Sequence, residues 1–310
     1  MKILFNLLFL FIYLISLLFA ISFITNKKKL LNKNILNLNN SNLDLLLNLL
    51  TNNDKGLYKF VKKCLESNPD EELCIYQFLC PKDVVGKTKV LIGPKTDGSY
   101  VMLNNFENIK LAYSIGISNS IEFDKVLAEK GIDVYMYDHT INRLPFKSGK
   151  FHWKKIGIGG NSQRSKNIQT LQDMLKENGH LHEKNMILKM DVEGAEWNTL
   201  NDVGEEVLSQ FKYIILEYHF YNIPINLLYK VLKKIYKTHQ IFYTHCNPFS
   251  PIINFGNNRI CGCIEVSYII RKGYNFIRDQ SIYPIKELSC GNNKGFNENI
   301  LRLFDNYKQS

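Results

Sequence analysis

Residues 185–197, with the sequence NMILKMDVEGAEW, lead from an apolar segment into a cluster of acids. The first six residues have the pattern of a buried strand that ends just before Asp191. Three acids then fall within six positions around Gly194, which permits a sharp turn into the next helix. Acids grouped in this way are costly to place at a sheet edge unless a function uses them. We therefore predict that Asp191 and Glu193 belong to a functional site, and that Glu196 stabilises the first helical turn through the helix dipole.

Strand patterns alternate with helix patterns on both sides of this stretch. The strands are predicted at residues 110–117, 133–137, 151–158, 185–190, 213–217, 240–245 and 262–270. The helices are predicted at residues 123–130, 168–177 and 225–237. Such alternation favours a mostly parallel sheet with helices on both faces, and the missing helix between the last two strands indicates an antiparallel pair. We predict an α/β fold, a Rossmann-like sheet of seven strands that is mostly parallel and has a terminal antiparallel hairpin.

Polar side chains and one glycine follow the carboxyl ends of these strands, where open α/β sheets bind their ligands. Gly116 would let the backbone approach a ligand, although a single glycine does not make a dinucleotide fingerprint. Asp138 has the spacing of an acid that binds ribose hydroxyls. The residues that we expect to converge on this edge are Gly116, Asn119, Asp138, His139, Asp191, Glu217, His219, His245 and Asn247.

Several stretches resemble one known family. LKMDVEGAEW, residues 188–197, resembles the signature of the FkbM-like methyltransferases, which use S-adenosylmethionine (SAM). LAYSIGISNSIEFDKVLAEKGIDVYMYDHTI, residues 111–141, resembles their SAM-binding half, in a branch that often carries a membrane anchor. GPKTDGSYV, residues 93–101, is similar to the DGGYV element of that branch, with Ser99 where a second glycine is usual. THCNP and CIEVSYI resemble its last two strands, with His245, Asn247 and Glu265 matching, so that the resemblance runs from about 91 to 270.

The resemblance implies a class I methyltransferase that acts on the oxygen of a small-molecule or glycan-like acceptor. SAM would be held by Gly116, Asn119, Asp138, His139 and Asp191, with Asp138 at the ribose and Asp191 near the transferred methyl group. Transfer to a hydroxyl also requires removal of its proton, which a carboxylate or a histidine can accept. Glu193, Glu217 and His219 are the candidates for that step. No metal ligand is predicted.

Two other functions fit parts of this pattern. A membrane-anchored glycosyltransferase would use Asp191 and Glu193 as a metal-binding acidic pair. A protein that keeps the methyltransferase fold without catalysis would need none of these acids, and their presence at several strand ends argues against it. Measurement of SAM binding would separate the three.

The amino terminus contains an uncharged apolar run, residues 3–24. Its length favours a transmembrane anchor over a cleaved signal peptide, since about 20 apolar residues span a bilayer and a signal core has 7–15. We predict an anchor or signal segment at 1–25, an Asn-rich linker at 26–55 and a methyltransferase-like domain at 56–310. We expect a single-pass membrane protein located in the secretory pathway (ER or Golgi in a eukaryote). The alternative is secretion after cleavage of the signal peptide. The orientation of the chain in the membrane is left open.

Composition excludes some other classes of protein. Of the 310 residues 45% are hydrophobic, which is enough for a large core and too many for a disordered chain. The net charge is +10, but only 6 of the 39 basic residues are Arg and they do not cluster, so no nucleic-acid partner is predicted. The seven cysteines include no CxxC pair, which argues against a structural zinc site and leaves room for one or two disulfides.

Overall fold

The computed structural model describes residues 78–247, 249–255, 258–279, 281 and 285–289. The strands are β1 (Lys82–Val84), β2 (Lys89–Ile92), β3 (Tyr100–Leu103), β4 (Leu111–Ile115), β5 (Asp133–Tyr137), β6 (Phe151–Lys154), β7 (Gly157–Ile158), β8 (Ile168–Gln169), β9 (Met186–Met190), β10 (Phe211–His219), β11 (His239–Cys246), β12 (Ile252–Phe255), β13 (Asn258–Cys261), β14 (Cys263–Ile270) and β15 (Phe276–Arg278). The helices are α1 (Glu122–Glu129), α2 (Leu171–Glu177), α3 (Ala195–Asp202), α4 (Glu205–Leu208) and α5 (Ile225–Thr238). The predicted anchor and linker lie outside the described residues, and within the described ranges no helix has the length and apolarity needed to cross a bilayer.

Seven of these strands form the central sheet, in the order β6-β5-β4-β9-β10-β14-β11. The pairs from β6 to β10 are parallel, whereas β14 runs antiparallel to both β10 and β11. The prediction of a mostly parallel seven-stranded sheet with a terminal antiparallel pair is therefore confirmed. Every residue of β9 and β10 is buried, as expected for strands that helices cover on both faces.

The order of the strands reverses between β4 and β9, which are neighbours in the sheet although β5 follows β4 along the chain. At such a switch point the connections leave in opposite directions and open a crevice beyond the carboxyl ends of the strands. Gly116 follows β4 and Asp191 follows β9, so two of the predicted site residues flank this crevice.

Two predicted elements differ from those observed, and both differences affect the site. The predicted strand at 151–158 is two strands, since β6 ends the central sheet while β7 pairs with β8 in a separate small sheet. The predicted helix at 168–177 begins only at Leu171, because the Thr170 hydroxyl accepts a hydrogen bond from the Asp173 backbone and the Asp173 carboxylate accepts one from Thr170. This capping box starts the helix three residues later than the apolar pattern indicates.

A hairpin that the sequence patterns do not predict, β12–β13, lies between the last two strands of the sheet. A disulfide between Cys246 and Cys261 joins the end of β11 to this hairpin. Cys263 is a buried free cysteine at the start of β14. The expectation of one or two disulfides is thus met by one bridge within the described ranges.

Candidate active site

A cavity of about 710 Å³ lies at the switch point, beyond the carboxyl ends of β4, β5 and β9. Its volume is in the range of small-molecule and cofactor sites. All five residues predicted to bind the cofactor line it, namely Gly116, Asn119, Asp138, His139 and Asp191. Apolar side chains from α1, β5 and β7 complete the wall, and Ile158 reaches it because the chain leaves the central sheet after β6.

Gly116 is required by the contact between the two strand ends. Its φ is +77°, and a Cβ built there would lie 1.6 Å from the backbone oxygen of Asp191. The Gly116 amide donates to Tyr137, and its carbonyl accepts a hydrogen bond from the Nζ of Lys189. We predicted that the missing side chain at Gly116 lets the backbone approach a ligand. It also lets the backbone of Asp191, just after β9, come close to Gly116, and this contact holds Asp191 at the cavity.

Asp138 connects the loops that follow β4 and β5. One carboxylate oxygen accepts the backbone amides of Ile117 and Ser118 at 2.9 and 2.8 Å, and the other accepts the amide and hydroxyl of Thr140 at 2.7 and 2.6 Å. Burial alone would raise the pKa of Asp138, but the bonds from Thr140, Ser118 and Ile117 outweigh it and lower the pKa to about 2. Its role at a ribose stays a prediction, and its contacts add a second role, which is to order the loop after Gly116.

We expect Asp138→Asn to reduce stability in a pH-dependent way. Because the folded pKa lies below the unfolded value of about 3.9, the carboxylate contributes stability that is present above pH ~4 and is lost as the pH falls through 2. The free energy of unfolding of the variant should be lower by about 2 kcal/mol at pH 6, and the two proteins should converge near pH 2. Urea unfolding at pH 6, 4 and 2.5 measures this difference, and a difference that does not depend on pH would contradict the assignment.

The four predicted catalytic residues lie together, with three carboxylates around the imidazole of His219. His219 Nε2 lies 3.9 Å from Asp191 Oδ1, 3.4 Å from Glu193 Oε2 and 3.7 Å from Glu217 Oε1. Glu217 and His219 are both on β10 and, two residues apart, share a face of the sheet. We call Asp191, Glu193, Glu217 and His219 the acidic group. Asp191 and Glu193 also line the cavity, so the acidic group adjoins the predicted cofactor site.

Glu196 and Trp197 hold His219 in place from the first turn of α3. The fully buried Glu196 carboxylate accepts the His219 backbone amide at 2.7 Å and lies 3.2 Å from its Nδ1. The Trp197 indole donates to the His219 carbonyl at 2.7 Å. Burial alone would lower the pKa of His219. The hydrogen bonds with Cys263 and Glu196 outweigh this effect and raise the pKa to about 11. The prediction that Glu196 acts only through the helix dipole is therefore incomplete, because the second half of DVEGAEW fixes a residue of the site.

A further row of side chains continues the acidic group across the sheet. Glu217 lies directly opposite Glu265 on β14, and Glu265 lies opposite His245 on β11. Asn247 donates to both carboxylate oxygens of Glu217, at 3.2 and 3.4 Å. Burial raises the pKa of Glu217 to about 7, with Asp191 adding to the increase, and burial also lowers the pKa of His245 to about 4. The polar residues predicted to follow the fifth and sixth strands thus lie side by side at this edge.

Two residues of the site, Lys189 and Tyr100, are not among those predicted from the ends of the strands. Lys189 is buried on β9, with its Nζ 3.8 Å from Asp191 and 5.3 Å from the centre of the Tyr100 ring. The Tyr100 hydroxyl donates to Asp191 at 3.0 Å. The sequence does place Lys189 on the same face of the strand as Asp191, which is the signal that could have identified it.

Ser99, which replaces the second glycine of the DGGYV pattern, is buried before β3. Its hydroxyl donates to the carbonyl of Pro94 and so closes the turn that leads to Tyr100. The serine thus fits this turn, and Tyr100 still reaches Asp191.

Two known proteins are similar in sequence to parts of this chain. The human and rat proteins named methyltransferase-like protein 24 are 28% identical over 120 residues and 27% identical over 155 residues. These matches cover 35% and 43% of this chain, and they span only 32% and 42% of the relatives.

Two solved structures match parts of this chain with low sequence identity. A candidate SAM-dependent methyltransferase from Streptococcus mutans is 11% identical, with a TM-score of 0.33 over 60% of this chain and 56% of that one. A candidate methyltransferase solved in complex with SAH is also 11% identical, with a TM-score of 0.34 over 61% of this chain and 57% of that one.

The family match covers a larger part of the chain. The model of the family described as the methyltransferase FkbM domain matches residues 20–237, which include β4, β5, β9 and β10 and all the predicted cofactor-binding and catalytic residues. The chain belongs to the FkbM methyltransferase domain family.

Proposed function

We propose that this methyltransferase uses SAM and transfers the methyl group to a hydroxyl oxygen of a small-molecule or glycan-like acceptor. The observation that carries the proposal is the cavity at the switch point, which brings together Gly116, Asn119, Asp138, His139 and Asp191. Membership of the methyltransferase family supports the reaction class. The proposal that the methyl group goes to an oxygen is supported by the carboxylates that adjoin the cavity.

The residues of the cavity fit the chemical parts of SAM. Gly116 would let backbone groups approach the amino-acid part, and Asp138 and His139, which line the cavity after β5, would hold the ribose. Tyr100, Asp191 and Glu193 give this wall an aromatic and anionic surface suited to a sulfonium. Bound SAM would supply an electrophilic methyl group on its positively charged sulfur.

The acidic group would receive the acceptor and its proton. Both ring nitrogens of His219 face carboxylates, with Nδ1 at Glu196 and Nε2 at Asp191, Glu193 and Glu217. A ring that donates on both sides has no lone pair to offer, so His219 would orient the carboxylates and would not accept the proton. The proton acceptors within reach are then Asp191, Glu193 and Glu217, which would also position the hydroxyl for in-line displacement.

Calorimetry of the purified full chain with SAM, and separately with a nucleotide-sugar, tests the function. We expect SAM to bind with a dissociation constant in the micromolar range and the nucleotide-sugar not to bind. A screen of hydroxyl-bearing acceptors with SAM labelled in the methyl group then identifies the substrate class. Binding of the nucleotide-sugar without SAM would favour the glycosyltransferase reading, and SAM binding with no transfer to any hydroxyl acceptor would contradict O-methylation.

We also propose that the protein works in the secretory pathway, anchored through residues 3–24. The Cys246–Cys261 disulfide supports this proposal, because disulfides persist in oxidising compartments. Deletion of residues 1–25 should release the chain from carbonate-washed membranes. A mature chain that begins near Ile21 would favour a cleaved signal, and a soluble full-length chain would contradict both.

A further inference from the structure

One acid in the wall of the cavity has no role in the chemistry described above. Asp124 lies in the first turn of α1 and lines the cavity together with the loop that follows β4. The residue is only 3% exposed, and its fully buried Oδ1 accepts no hydrogen bond from any residue that the structure describes. An unsatisfied buried polar atom is costly, which makes it uncommon in folded proteins unless a ligand or an ordered water satisfies it.

The position of Asp124 in its helix does not explain why it is buried. An acid in the first turn of a helix is stabilised by the helix dipole. Glu122, in the same turn, fits this explanation, because its side chain is 46% exposed and pairs with Lys125 at 2.7 Å. Asp124 is buried instead, and acids are almost never fully buried unless they are paired. The dipole alone therefore accounts for Glu122 but not for Asp124.

The polar groups near Asp124 do not provide the missing hydrogen bond. Burial raises the pKa of Asp124 to about 6, although the Ser114 hydroxyl and the charge of Lys189 act in the opposite direction. The Ser114 hydroxyl is itself buried and has no hydrogen-bond partner among the described residues. Lys189 donates to the carbonyl of Gly116 and lies 3.8 Å from Asp191, so its ammonium is shared with other groups.

The charge of the cavity favours a ligand with cationic groups. Five acids are among the residues that line it, and Lys189 is the only lysine or arginine among them: the acids are Asp97, Asp124, Asp138, Asp191 and Glu193. Asp97 and Glu193 are exposed to water, Asp138 accepts backbone amides, and Asp191 accepts the Tyr100 hydroxyl. Asp124 is thus the buried acid of this wall for which a partner in the cavity is needed.

We propose that Asp124 binds the α-ammonium group of the methionine part of SAM. The inference deepens the proposed function and rests on it. SAM carries two positive groups, and the sulfonium is already placed at the wall formed by Tyr100, Asp191 and Glu193. An ammonium donates up to three hydrogen bonds, and those to a carboxylate are charge-assisted and strong.

The order of the strands agrees with this assignment. Asp138, the predicted ribose ligand, follows β5, whereas the charge that acts on Asp124 belongs to Lys189 of β9. Since β4 lies between β5 and β9, the ribose and the ammonium would lie on opposite sides of the end of β4. Gly116, where the backbone would approach the amino-acid part, follows β4 directly. Asp124 would hold the cofactor and would take no part in proton transfer.

Calorimetry of the full chain with two ligands tests the contact. One is SAH, the demethylated form of SAM, which has the same amino-acid part. The other is the 2-oxo acid analogue of SAH, in which a carbonyl oxygen replaces the amino group. The wild type should bind SAH about tenfold or more tightly than the analogue, the scale of one charge-assisted hydrogen bond. Asp124→Asn should lose about tenfold or more in affinity for SAH and bind the analogue like the wild type.

Two control variants separate this contact from structural roles of Asp124. Glu122→Gln removes the other acid of the same helical turn, which does not line the cavity, and it should keep the wild-type preference for SAH. Ser114→Ala should keep that preference as well. Comparison of two ligands on two proteins is a double-mutant cycle, so a general loss of stability in Asp124→Asn would not by itself remove the preference.

Three results would overturn the proposal. The first is a wild type that binds SAH and the analogue equally, which needs no variant to fold. The second is an Asp124→Asn protein that keeps the preference for SAH while it and Ser114→Ala lose similar stability in thermal unfolding, as expected for a purely structural pair. The third is a Glu122→Gln protein that loses the preference, which would assign the effect to the helix dipole. A wild type that binds neither ligand would defeat the proposed function and this inference with it, whereas equal binding of both would defeat the inference alone.

Discussion

Gly116→Ala should abolish SAM binding and destabilise the protein by about 2–5 kcal/mol. The new Cβ would lie 1.6 Å from the Asp191 backbone oxygen and 2.7 Å from its carbonyl carbon, and these atoms cannot rotate away. The ends of β4 and β9 would have to separate at the switch point, which costs about 1–3 kcal/mol for overpacking. A left-handed φ at a residue other than glycine adds about 1–2 kcal/mol.

Gly131→Ala provides the matched control. Gly131 has a φ of +83°, but no atom lies within 4 Å of a Cβ built there, so this variant carries only the cost of the left-handed conformation. Thermal unfolding and SAM calorimetry of both variants isolate the contribution of the close approach. If Gly116→Ala melts within about a degree of Gly131→Ala and binds SAM like the wild type, the contact between Gly116 and Asp191 is not what shapes the cavity.

The sheet could be predicted from the sequence because its signals are local. A buried strand shows an apolar run and an amphipathic helix shows a stripe, as in α5, whose buried residues Leu228, Val231, Leu232 and Ile235 follow helical spacing. The division of 151–158 could not be predicted in the same way. It depends on the pairing of β7 with β8 and on a close contact with the loop after β5, since a Cβ at Gly157 would lie 2.5 Å from the His139 ring.

The cofactor side of the site was also accessible to sequence analysis, because each of its residues follows a strand that could be recognised. The acceptor side was accessible only in part. Glu217, His219 and His245 were identified by the same rule, but Glu265 becomes a neighbour of Glu217 only through the antiparallel register of β10 and β14. Pairing between distant strands is set by the whole sheet and leaves no spacing to read along the chain.

The DVEGAEW stretch should divide into catalytic and positioning residues when its acids are replaced one at a time. Asp191→Asn should lower the methyl-transfer rate at least ~100-fold, the scale of lost acid–base or positioning groups. Its stability should change little, because the amide can still accept from the Tyr100 hydroxyl. Glu193→Gln should also lower the rate about 100-fold with little effect on melting, since the side chain of Glu193 is 87% exposed and faces His219.

Glu196→Gln should behave differently, because its carboxylate is fully buried and accepts from Gly194 and from His219. Loss of one partner of a buried pair costs about 3–5 kcal/mol, and the amide oxygen retains some of the bonds, so we expect a loss of about 2–4 kcal/mol. A residue that acted only through the helix dipole would cost about 0.3–1 kcal/mol. Unfolding in urea measures the stability, and labelled SAM measures the rate.

Comparing the loss of stability with the loss of methyl-transfer rate distinguishes a positioning role from a catalytic role. Glu196→Gln should lower the rate as well, because His219 loses the negative charge beside its Nδ1, but the rate should recover in part in Glu196→Asp, which keeps the charge. Asp191→Glu should not recover it, since Asp191 lies at the cavity wall where the added methylene displaces the carboxylate. A stable Glu196→Gln protein with wild-type turnover would show that the contact between Glu196 and His219 is not needed for transfer, and the acidic group would then act through Asp191, Glu193 and Glu217.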